Sequence, residues 1–152
     1  MMSMTTLHET LVFEREVAAP VEKVFVAFAD PVERAKWGTP SDGSVLIYDE
    51  EDFREGGQDR FRCGAKADPN IHGTTRYLDI VANRRIVSSE TVEMNGKHLC
   101  ASLTTVEFSS DGEKTKLKST TQLASFIGED MVKGHKSGTN ASLDNLVRYL
   151  SR

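Results

Sequence analysis

Two cysteines, four prolines and a single tryptophan among 152 residues leave several architectures without material. Cys63 and Cys100 are too few for a disulfide framework, and they lack the Cys-x-x-Cys spacing of a redox or zinc site. They read as two reduced, partly buried thiols, which fits a cytoplasmic location best. Positive charge is not in excess either: 19 Lys and Arg face 23 Asp and Glu, for a formal charge of −4. A nucleic-acid partner needs the opposite balance and is not expected. Long apolar runs are missing as well. The longest, residues 24–29, falls far short of a bilayer, and residues 1–6 carry neither the basic region nor the apolar core of a signal peptide, so no membrane insertion is expected.

Motifs that carry cofactors are also lacking. There is no P-loop, no G-x-G-x-x-G and no G-x-S-x-G, and Gly56-Gly57 reads as a turn between strands, without the helix start that would let it hold a phosphate. His8, His72, His98 and His135 show no i, i+4 pairing, so no metal and no cofactor are expected. The charge-rich residues 49–55 read as a solvated turn.

What remains is an ordinary globular composition, 38% hydrophobic and 28% charged. A chain of this length buries roughly 68–70% of its unfolded surface, enough for a core without staples. With no repeat and no long linker, residues 8–152 are expected to form one domain, preceded by a disordered or extended segment at 1–7.

Leu11, Phe13 and Val17 alternate along a first strand over 11–18, with Arg15 on the same face. Pro20 suits a first helical position, and Val21, Val24, Phe25 and Phe28 form the apolar stripe of a short helix. Asp30-Pro31-Val32-Glu33 has the form of a capping box that starts a second helix ending near Trp37.

Strand-length segments follow at 44–50, 58–66, 72–81, 85–93, 98–108 and 115–124, punctuated by Asp68-Pro69-Asn70, Asn83, Asn95-Gly96 and Asp111-Gly112. The Asn-Gly and Asp-Gly pairs suit hairpin turns, so the strands should pair antiparallel as a meander. Residues 129–150 carry Met131, His135, Thr139, Ser142, Leu143, Leu146 and Leu150 along one side of a long helix. Gly134 and Gly138 each weaken it by about 1 kcal/mol relative to Ala, which hints at close packing or a bend. The expected fold is α+β, a seven-stranded antiparallel sheet wrapped round the C-terminal helix, with two short helices after the first strand.

These residues resemble the homologues of the ninety-kilodalton heat-shock chaperone's ATPase activator, within the SRPBCC, START-like or Bet v 1-like superfamily of helix-grip domains. The resemblance runs from about Leu11 to Leu150. It rests on Arg15-Glu16-Val17-Ala18-Ala19-Pro20, Val24-Phe25, Asp30-Pro31 followed by Trp37, and the turn Asp52-Phe53-Arg54-Glu55-Gly56-Gly57. His72-Gly73 before Tyr77-Leu78-Asp79-Ile80, and Gly138, Leu143, Leu146 and Leu150, complete it. The chain departs from the pattern at Gly38 and Thr139, where the family often carries Trp. Replacing an indole with a small polar side chain should enlarge or hydrate a cavity, unless Met131 or Phe61 repacks into it.

The resemblance implies a ligand cavity between the long helix and the concave sheet. Its expected walls are Trp37, Phe61, Cys63, Leu78, Ile80, Val106, Phe108, Leu117, Leu123 and Met131, with polar accents from Thr104, Ser119, Thr121, His135 and Thr139. Any single apolar member reads first as plain core, because most such stripes only bury surface. His135 could act as acid or base near neutral pH but has no partner that the sequence can place, so no catalytic residue is assigned. Arg15, set among apolar positions, needs a carboxylate or carbonyl partner; it is a structural ion pair or an anchor for an anionic ligand.

The function expected from the resemblance is binding of a small hydrophobic or amphipathic molecule, with no enzymatic activity required. A polyketide cyclase or aromatase-like enzyme using the same cavity is the first alternative. A co-chaperone or other interaction module is the second, weakened because the eukaryotic activators carry an added N-terminal chaperone-binding domain for which this chain has no room. Edge strands would permit a homodimer, although no apolar stripe demands one.

Overall fold

A computed structural model describes residues 5–39 and 42–151. Seven strands form one antiparallel sheet in the order β1-β7-β6-β5-β4-β3-β2, so β2 to β7 are a meander and β1 (Leu7–Val17) returns to pair with β7 (Lys114–Ser125). The expected first seven residues divide: 1–4 lie outside the described residues, and Leu7 already pairs with Ser125 in β1.

Helix α1 (Val21–Ala29) starts one residue later than Pro20, whose carbonyl accepts from the N–H groups of Lys23 and Val24 at 3.0 and 3.1 Å. In α2 (Pro31–Trp37), Asp30 accepts from Val32 N–H at 2.9 Å as the N-cap. Glu33 does not reach back to complete a capping box. It is taken instead by Lys36 at 2.9 Å and by the Tyr149 hydroxyl at 2.9 Å.

β2 (Ser44–Glu50), β3 (Gln58–Ala65), β4 (Asp68–Val81), β5 (Arg85–Met94) and β6 (Lys97–Asp111) fill the rest of the sheet. Asp68-Pro69-Asn70, which reads in the sequence as a break, belongs to β4. Proline cannot donate to a ladder, and here it lies opposite a bulge between Cys63 and Ala65, where Gly64 adopts φ +126°. A second bulge, between Tyr77 and Asp79, governs the site described below.

The long helix α3 (Glu129–Leu150) packs on β1, β7 and α2. Leu143, Leu146 and Leu150 are buried in a core that also holds Val17, Val24, Phe25, Trp37, Phe108, Leu117 and Leu123. Ser142 donates to Gly38 O at 2.8 Å and Asn145 to Thr39 O at 2.9 Å, which ties α3 to the end of α2. Gly134 is not explained by close packing, because a Cβ there would meet nothing within 4 Å.

Candidate functional site

Antiparallel pairing sorts side chains by parity, and the register therefore shows which residues share the concave face. One inward row runs Asp59, Thr75, Glu90, Ser102, Leu123 across β3, β4, β5, β6 and β7. The next runs Tyr77, Ser88, Thr104, Thr121, Leu11. Apolar rows flank them: Phe61, Gly73, Val92 and Cys100 on one side, Ile80, Ile86 and Val106 on the other. The middle of the concave sheet is thus a patch of hydroxyls with one carboxyl, between two greasy borders.

Interior polar groups are costly unless they are paired or wet. At the β7 end the rows are closed: Thr121 and Leu123 are buried, and Thr104 and Thr121 share a hydrogen bond of 3.0 Å. Across β4, β5 and β6, Thr75, Ser88, Glu90, Ser102 and Thr104 all remain partly open to solvent.

The helix above shows the same gradient. Thr139, Leu143, Leu146 and Leu150 fall on one helical face, yet the three leucines are buried whereas Met131, His135 and Thr139 are only half-buried. The C-terminal half of α3 closes on the core, and its N-terminal half stays half-exposed, with Met131 packed against the edge of the core.

Glu90 is the side chain to which this geometry gives most consequence. It lies deep enough that burial pushes its carboxyl pKa up, against a lowering hydrogen bond from Thr75 Oγ1 to Oε2 at 3.2 Å. Glu90 is thus desolvated by its surroundings and yet only half-buried. His135 behaves alike: burial holds its pKa below the ordinary histidine value, and its Nδ1 lies 3.5 Å from Thr139 Oγ1.

Beside this polar patch sits a closed polar cluster. Arg34 of α2 donates through Nη1 to Asp59 Oδ2 at 2.6 Å and to Tyr77 Oη at 3.0 Å, with its guanidinium 4.7 Å from the centre of the Tyr48 ring. The Tyr77 hydroxyl also donates to Asp59, and Asp52 N–H reaches Asp59 Oδ1 at 3.0 Å. Asp59 is 0% exposed and the Arg34 side chain 11%. Desolvation works to lower the Arg34 pKa, but Tyr48, Tyr77 and Asp59 together carry it upward. The Nε and Nη2 atoms of Arg34 are buried without a hydrogen-bond partner among the described residues.

Several expected wall residues lie elsewhere. Leu78 is 53% exposed and points outward with Arg76, since Tyr77 keeps the inward parity of Gly73 and Thr75 and the bulge before Asp79 is what returns Ile80 to the inward face. Trp37, Val106, Leu117, Ser119 and Thr121 are buried core rather than open lining, as are Phe108 and Leu123. The Trp37 indole donates to Ala27 O at 3.0 Å and packs against Phe28 at 4.8 Å between ring centres, locking α2 to α1. Phe61, Cys63, Ile80, Thr104, Met131, His135 and Thr139 are half-buried. Phe61 lies across Gly73, where any Cβ would run into its ring.

Arg15 turns to α3, donating to Asp144 Oδ1 at 3.0 Å and Asn140 Oδ1 at 2.9 Å, and to Glu14 O at 2.9 Å. All three of its nitrogens are engaged with the protein, so it clamps β1 to the helix.

Glu90, Ser88, Ser102 and Thr75 were not among the residues singled out by sequence pattern. The signal existed in β5, where Ile86, Ser88, Glu90 and Val92 alternate on one face, so two polar residues sit inside an apolar stripe. Among the described residues no group of three His, Cys, Asp or Glu could hold a metal ion. An open groove of about 700 Å³ lies apart from this inward patch, lined mainly by outward Glu14, Glu107, Arg84, Arg85, Lys116 and Lys118, whose charges alternate across strands.

The family model for Activator of Hsp90 ATPase homolog 1-like protein matches residues 18–151. The chain belongs to this family. Among solved structures, Mll3558 from Rhizobium loti is 34% identical, covering 95% of this chain and 98% of its own with a TM-score of 0.83. A Rhizobium leguminosarum protein is 31% identical, covering 97% of each chain, also with a TM-score of 0.83. DynU16, from the dynemicin biosynthetic locus, shares the fold at 19% identity and a TM-score of 0.68, over 93% of this chain and 47% of its own. No curated protein matches. The activator-homologue family has the helix-grip architecture, and the seven-stranded sheet with its long C-terminal helix is that architecture here. Among the described residues no helix is long and apolar enough to cross a membrane.

Proposed function

We propose that this member of the activator-homologue family binds a small amphipathic molecule between the N-terminal half of α3 and the polar centre of the concave sheet. The observation that carries this reading is Glu90, a carboxyl deep in the protein that solvent still reaches, set among Thr75, Ser88, Ser102 and Thr104. A filled core would have closed over apolar residues at these positions. Polar groups in a cleft with apolar borders instead match the usual make-up of a small-molecule site. The inward-facing, unpaired thiols of Cys63 and Cys100 suit a reducing compartment, and we place the protein in the cytoplasm.

Native mass spectrometry of freshly purified protein, with mass analysis of its solvent extract, tests this reading. The expected result is a one-to-one adduct, carried through purification or formed with a member of a lipid and aromatic panel. An apo mass unchanged by every member of that panel contradicts it.

A further inference from the structure

Three carboxylates that tie elements of the fold together each have a cation. Asp59 has Arg34 at 2.6 Å, Asp144 has Arg15 at 3.0 Å and Glu33 has Lys36 at 2.9 Å. Glu90 takes part in no ion pair among the described residues, and its one hydrogen bond there is with the neutral Thr75 hydroxyl. Among the groups that feel its charge are Tyr48, Cys63 and Cys100, a phenol and two thiols. Each of their pKa values is raised, first by burial, and that of Cys100 is pushed up to about 11. A buried acid ringed by neutral acids lacks a counter-charge that something outside the chain can supply.

We propose that Glu90 recognises a basic nitrogen, so that the cleft takes an amphipathic amine whose ammonium pairs with this carboxylate. The proposal rests on reading the cleft as a small-molecule site. The apolar body of the amine then lies along the borders formed by Phe61, Val92, Ile80 and Ile86, under Met131.

Charge selects among ligand classes here. A fatty acid would bring a second carboxylate beside Glu90, and like charges in a partly desolvated site repel. An alcohol can satisfy the serine and threonine hydroxyls but leaves the carboxyl without a counter-ion. An ammonium supplies a charge-assisted hydrogen bond, about twice as strong as a neutral one. The cation of the neighbouring cluster, Arg34, does not serve as an anion anchor in this arrangement, because its two unpartnered nitrogens are sealed from solvent.

Octylamine, 1-octanol and octanoate share one chain length and differ in head group, and calorimetric titration of the three at neutral pH separates the classes. The wild-type protein is expected to bind octylamine at least about tenfold more tightly than 1-octanol, and octanoate least of all. Glu90→Gln should cost octylamine about tenfold or more while leaving 1-octanol within about twofold. Amine and alcohol binding with equal affinity, or octylamine unaffected by Glu90→Gln, overturns the amine proposal and leaves the cleft standing as a binding site. Failure of all three to bind overturns the proposal together with the site beneath it. Should Glu90→Gln fail to fold, the head-group order on wild-type protein decides alone.

Discussion

Arg34 and Asp59 show how much one residue pair can organise. Asp59 receives Arg34, Tyr77 and the Asp52 backbone, so α2, β3, β4 and the turn after β2 meet at a single carboxylate with no exposure. Removing one partner of a buried pair strands the other charge, and Asp59→Ala or Arg34→Ala should cost about 3–5 kcal/mol in urea unfolding. A loss under about 1 kcal/mol would show that the pair is not holding these elements together.

Glu90 predicts the opposite sign. Its pKa is raised in the folded protein, so the unfolded chain ionises first. The stability associated with Glu90 is therefore full below the ordinary glutamate pKa and is lost as pH rises through the folded value. Glu90→Gln removes that loss and should raise unfolding stability at neutral pH, with the gain fading as pH falls to the ordinary glutamate range. Melting curves across that range check it, and a variant less stable than wild type at neutral pH would contradict the account. His135 titrates in a different window. Its lowered pKa keeps its stability contribution whole above the ordinary histidine value and removes it only as pH falls.

At the scale of elements, the long helix is half core and half roof. Leu143, Leu146 and Leu150 anchor one half, and Thr139 stands on the same face where resembling sequences carry Trp. Thr139→Trp should fill the space under the roof, abolishing adduct formation in native mass spectra while leaving the melting temperature unchanged or higher. Retained binding would place the ligand elsewhere.

Legibility in the sequence also divides by element. Period-two alternation and Asn-Gly or Asp-Gly turns marked the strands, and the apolar stripes marked all three helices, because those signals are local. The β4 bulge was not legible: nothing in Tyr77-Leu78-Asp79-Ile80 announces the extra residue that puts Leu78 and Ile80 on opposite faces. Pro69 within β4 was hidden for the same reason, since a bulge excuses a proline that regular pairing forbids. The inward place of Glu90 was readable in β5 by parity alone. Its isolation from any cation was not, because that depends on which strands and helices face it across the fold.

For the whole molecule, the meander from β2 to β7 and the return of β1 lay one concave face under one helix. That face is closed by core packing where α3, β1 and β7 meet, and over β4 to β6 it carries half-exposed polar residues between buried apolar rows. The same wall cannot be both filled core and ligand floor, so the location of binding is the central claim. Nitrogen–proton correlation spectra of the labelled protein, recorded during titration with the octyl probes, test it most directly. The account predicts that the amide signals of Thr75, Ser88, Glu90, Ser102 and His135 shift together and saturate at one equivalent, while those of the outward Val12, Leu78 and Leu103 stay in place. Shifts confined to the outward residues, or spectra that do not change, would contradict it.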